Sequence, residues 1–128
     1  MSDATFKKRF TSNAEVLNDL YATGQNVQIM AGHFFNWEYA NWGVAKYGKY
    51  PFLAVYMPLS NAFFDKLILN MRSRYGSIMI PATQFKSQFH QYANKGPYVM
   101  ALAADQNPSN PLKAFWVPFF GKNTPFVK

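Results

Sequence analysis

The chain has 128 residues, 49% hydrophobic and 15% charged, with 13 Phe, 8 Tyr and 3 Trp. This composition excludes a disordered, collagen-like or coiled-coil chain, and the length predicts a single domain over residues 1–128. Zero Cys excludes a disulfide framework, a zinc-thiolate site and a cysteine nucleophile, while 13 Lys+Arg against 6 Asp+Glu give a net charge of +7 and a surface that attracts anions.

The N-terminal Lys7, Lys8 and Arg9 follow no apolar run, so the segment is not a signal peptide and reads as a solvated charge run, with contact to anionic lipid as the other reading. Val16, Leu17, Leu20 and Tyr21 keep helical spacing and predict a helix over 13–23, closed at Gly24. Residues 27–31 are apolar and β-branched and end at Gly32, which predicts a buried strand with His33 at its carboxyl end. A helix over 37–47 follows, capped by Asn36 and ended near Gly48 and Pro51. Residues 52–56 form a second strand stopped by Pro58, and 61–74 a helix with Phe64, Leu67, Ile68 and Met71 on one face, ended by Gly76. A strand at 77–80, a helix at 83–94 and a strand at 98–104 complete the alternation, and 105–111 is a turn-rich loop. Phe115, Trp116 and Val117 are a candidate fifth strand at a sheet edge.

Alternating strands and helices predict an α/β fold with a mostly parallel central sheet and helices on both faces, because parallel neighbours need crossovers that helices supply. The longest apolar runs fall well short of the ~20 residues of a membrane-spanning helix. The aromatic content with a basic balance suits a lipid interface, and equally a surface on which nucleic-acid bases stack.

In open α/β sheets ligands bind beyond the carboxyl ends of the strands, where His33, the loop after Tyr56, and Asp105 with Gln106 are all expected. The segment 32–38 is Gly-His-Phe-Phe-Asn-Trp-Glu. With Asn36 as N-cap, Glu38 lies in the first helical turn, and the bend lets His33 fold back toward its carboxylate. A carboxylate on one ring nitrogen fixes the tautomer and leaves the other free to deprotonate a substrate hydroxyl. The plainer reading is a hydrogen-bonded histidine at the core edge and a helix N-terminal charge.

Rival motifs fare worse. Residues 43–50 match G-x-x-x-x-G-K but continue with Tyr50 where Ser or Thr is needed, and they lie at a helix C-terminus. No G-x-S-x-G is present, and His90 lies mid-helix, far from His33, so neither a serine esterase of that type nor a metal site is expected. Arg72 and Arg74 close a helix and favour its dipole, or else clamp a phosphate or carboxylate. Asp105 and Gln106 start a turn, or else contact an acceptor. Phe34, Phe35 and Trp37 around the proposed base are mostly core, with an acyl-chain groove as the functional alternative.

Taken together, several segments resemble the lipid A biosynthesis (late) acyltransferase family within the lysophospholipid acyltransferase superfamily. Residues 32–38 resemble its H-x-x-x-x-D/E signature, and 55–61, 72–76, 104–106 and 115–121 resemble its later blocks in order, so that the likeness spans about residues 6 to 126. The resemblance implies transfer of an acyl chain from an acyl carrier protein or CoA thioester to a hydroxyl of a lipid acceptor, with His33 as general base, Glu38 orienting it and no cofactor. Asn36, Arg72, Arg74, Asp105 and Gln106 are then candidate substrate-binding residues. It also implies work at the cytoplasmic face of the bacterial inner membrane, on an anionic surface and not on nucleic acid. The +7 charge suits an acidic carrier protein and anionic acceptors such as phosphorylated glucosamine lipids. Met57 departs from the Arg many members carry there. Members usually also have an N-terminal membrane segment and a C-terminal portion, so the chain is expected to be a core fragment. The alternatives are an acyltransferase for a glycerophospholipid or aminoacyl-lipid acceptor, and a non-catalytic basic module for anionic membrane or nucleic acid.

Overall fold

The computed structural model describes residues 1–33, 36–103 and 105–126. In chain order these form α1 (Asp3–Arg9), α2 (Ala14–Ala22), β1 (Val27–Ala31), α3 (Trp37–Tyr47), β2 (Phe52–Tyr56), α4 (Ala62–Arg72), β3 (Ile78–Pro81), α5 (Phe85–Ala93), β4 (Val99–Ala103), β5 (Phe115–Phe119) and β6 (Lys122–Phe126). Side chains set the helix starts: Asn36 accepts from the Tyr39 amide, and Asn61 accepts from those of Phe63 and Phe64. After α4 a single 3-10 turn leads to Gly76, whose φ of 97° is open to glycine and closed to most side chains.

β1 to β4 form one parallel sheet in the order β1-β4-β2-β3, with Val27 opposite Val99, Phe52 opposite Val99 and Leu53 opposite Ile78. The α/β expectation holds. The last of the four strands in sequence lies between β1 and β2, so among the described residues β1 has β4 as its sole neighbour in the sheet. All four carboxyl ends point the same way, which gathers the segments after residues 31, 56, 81 and 103 along one edge.

Phe52, Ala54 and Val99 join Tyr50 in a buried cluster, with Leu17 and Leu20 of α2 and Val44 and Ala45 of α3 packed on it. Leu53, one position out of phase, faces the other side of the sheet and is also fully buried, so both faces of β2 are covered.

Two elements differ from the sequence reading. The basic run Lys7, Lys8 and Arg9 is exposed, as a solvated charge run should be, but it lies on a helix the sequence did not announce, α1, capped by Ser2. Phe6 is fully buried, its ring 5.6 Å from those of Phe10 and Tyr39 and 6.3 Å from that of Tyr75, while the Lys46 Nζ donates to Asp3 at 2.6 Å. One aromatic per turn, not charge, decides the segment's fate. The candidate fifth strand likewise does not join the sheet. β5 pairs antiparallel with β6 in a separate hairpin, turned by Phe120 and Gly121. Pro118 and Pro125 have no amide hydrogen to offer a further strand, which suits a free-standing ribbon.

Candidate active site

The edge formed by the strand carboxyl ends is built first by β1 and β4, which are neighbours and deliver His33 and Asp105 to the same place. The two are held by a double contact. The Asp105 carboxylate accepts from the His33 backbone amide through Oδ2 at 2.6 Å and from the His33 ring Nδ1 through Oδ1 at 2.7 Å. A carboxylate can only accept, so the ring carries its proton on Nδ1 when neutral, and the lone pair falls on Nε2. The imidazole is 42% exposed and its partner carboxylate 41%, so a substrate hydroxyl can reach the ring.

Charge follows geometry. The His33 backbone amide, and then its ring, hold the Asp105 carboxyl below the usual aspartate range, more than offsetting partial desolvation. The Asp105 carboxylate is therefore held in its ionised form beside the ring.

The expected pairing of His33 with Glu38 is replaced by this one. Glu38 does lie in the first turn of α3, but its carboxylate accepts from Arg72: Oε1 lies 3.1 Å from Nε and 3.0 Å from Nη2. The Arg72 guanidinium also stacks over the Trp37 ring, 4.0 Å from its centroid. A forked, permanently charged donor competes better for a carboxylate than a neutral ring does. Around this pair Asn41 Nδ2 donates to the Arg72 carbonyl at 2.9 Å and Trp42 Nε1 to that of Met71 at 2.8 Å, which ties α3 to the end of α4. Arg72 thus ties the end of α4 to the start of α3, instead of standing free as a phosphate clamp.

The remaining candidates scatter. Asn36 serves as the α3 cap, Gln106 is exposed beside Asp105, and Arg74 is exposed with its guanidinium 5.6 Å from the Tyr75 ring centroid. Phe34 and Phe35 lie outside the described residues, as does Ala104. His90 is exposed in the last turn of α5. The signal for the Asp105 pairing was present as a carboxylate at a strand's carboxyl end, but the strand order that makes β4 the neighbour of β1 was not.

Among the described residues no group of three His, Cys, Asp or Glu is placed to hold a metal ion. No helix among them is long and apolar enough to cross a membrane. A recess of about 380 Å³ lies elsewhere, between α1, α2 and α3, lined by Lys7, Glu15, Asn18 and Tyr47 among others.

The structure thus presents a parallel α/β sheet with a carboxylate-bound, part-exposed histidine at its carboxyl edge. The sequence profile of the bacterial lipid A biosynthesis acyltransferase family matches residues 1–126, and the chain belongs to that family of acyltransferases. No curated protein matches the chain as a relative.

Proposed function

We propose that the protein transfers a fatty acyl chain from a carrier-protein or CoA thioester to a hydroxyl of a lipid A precursor or a similar anionic lipid, with His33 as the general base. The observation that carries this reading is the double hydrogen bond from His33 to Asp105. It locks ring position and tautomer at once, which a base needs and a merely structural histidine does not.

In the reaction the acceptor O–H gives its proton to Nε2 while its oxygen attacks the thioester carbonyl. The tetrahedral intermediate then collapses, the C–S bond breaks, and the imidazolium returns the proton to the departing thiolate. Asp105 stabilises the imidazolium between these steps. Glu38 and Arg72 act from behind: they hold the start of α3 to the end of α4. A surface of net charge +7 favours an acidic carrier and a phosphorylated acceptor. The family match and the position of His33 at the strand's carboxyl end support the same reading.

The test is His33→Ala in the full-length protein, assayed by transfer of a labelled acyl chain to the lipid acceptor. Transfer is expected to fall by a factor of about 10² to 10⁴ while the thermal unfolding curve is retained. Unchanged turnover would remove the catalytic role.

A further inference from the structure

We infer that the β5–β6 hairpin is a wedge that seats in the headgroup layer of an anionic lipid bilayer, and so sets which side of the protein meets its lipid. The inference deepens the proposed function by naming the surface that meets the substrate.

The hairpin has the wrong surface for water. A two-stranded ribbon in solvent keeps one face polar, yet Phe115, Trp116 and Phe119 on β5 are all exposed, and they include residues from both of its faces. At the tip Phe120 is 91% exposed, and Leu112 just before β5 is 96% exposed. The tip is also strained. The two-residue turn holds Phe120 at φ 48° and Gly121 at φ 75°, a pairing in which Asn-Gly is favoured and a bulky aromatic disfavoured. A fold that keeps a ring in that conformation, pointing out, spends stability on presenting it.

Charge selects the partner. Between residues 106 and 126 there is no acidic side chain, and the two charged residues, Lys113 and Lys122, are both exposed and cationic. Aromatic rings flanked by lysines suit the boundary between acyl chains and anionic headgroups, where rings bury and ammonium groups stay wet. A nucleic acid would meet the lysines but leave Leu112 and the tip Phe120 without a partner. The loop carrying Asp105 leads straight into the hairpin, and residues 106–114 span at most about 30 Å. A bilayer holding the wedge therefore lies within a lipid molecule's reach of His33.

Vesicle cosedimentation tests this, with phosphatidylcholine vesicles and with vesicles that also contain phosphatidylglycerol. Phe120→Asn removes the ring and supplies the residue the turn prefers, so its unfolding temperature is expected to stay or rise while affinity for both vesicles falls about tenfold. Lys122→Gln is expected to weaken binding to the phosphatidylglycerol vesicles about fivefold and leave the neutral ones unchanged. Wild-type affinity in folded Phe120→Asn overturns the proposal. So does a wild-type protein that binds neither vesicle and instead dimerises in a manner that Phe120→Asn abolishes, since the hairpin would then be an interface between copies. Vesicle binding needs no turnover: His33→Ala is expected to bind as wild type does, and Phe120→Asn to keep acyl transfer to a detergent-dispersed acceptor. Failure of the wedge and failure of the base are thereby read separately.

Discussion

Asp105 commits both carboxylate oxygens to one residue, the backbone amide and the ring of His33, whereas Glu38 commits its own to a guanidinium. Their substitutions should therefore separate. Asp105→Asn is expected to lower kcat about a hundredfold with little change in KM, because the ring loses both its locked tautomer and the negative charge that favours the imidazolium. Glu38→Gln is expected to cost about 1–3 kcal/mol in urea unfolding, because the half-buried Arg72 loses charged hydrogen bonds. If Glu38→Gln loses the greater share of kcat at unchanged stability, the carboxylate roles are reversed. The depressed Asp105 pKa carries its own sign. In a folded state that favours ionised Asp105, the stabilisation is complete above the ordinary value of 3.8 and is lost as pH falls through the lower folded value. The stability difference between wild type and Asp105→Asn should accordingly shrink as unfolding is measured at successively lower pH below 3.8.

At the scale of elements, α3 is the organiser: its first turn carries Glu38, its middle touches α4, and its inner face receives α1. Gly43 makes that last contact possible, since a Cβ there would overlap the Phe10 ring. Gly43→Ala is expected to destabilise by about 1–3 kcal/mol in urea unfolding despite Ala's better helix propensity, and a gain in stability would show that Phe10 yields freely. Most elements were legible in the sequence because their signals are local: Asn36 and Asn61 announce helix starts, Gly24 and Gly76 helix ends, and residues 27–31 a strand, though not the buried one expected, since β1 lies at the sheet edge with Met30 64% exposed. α1 was obscured because three consecutive cations outweigh a single Phe in any average over the segment. The hairpin turn was obscured because Phe-Gly is not the dipeptide that announces one. The partner of His33 depends on strand order, which neighbouring residues do not encode.

For the whole molecule, strand order also sets the pattern of stability. Among the described residues β1 hydrogen-bonds to β4 alone within the sheet, whereas β3 pairs with β2. Val99 is fully buried and lies opposite both Val27 and Phe52. Val99→Ala is expected to cost about 1–3 kcal/mol and to speed amide exchange in Val27–Ala31 more than in Ile78–Pro81. Equal acceleration in both strands would mean that the sheet opens only as a unit. The insertion of β4 has a consequence for synthesis. His33 leaves the ribosome long before Asp105, and every segment in between must be made before the clasp can close. A nascent or prematurely terminated chain therefore presents an unharnessed imidazole on an unanchored strand, until β4 is made and pairs with both β1 and β2.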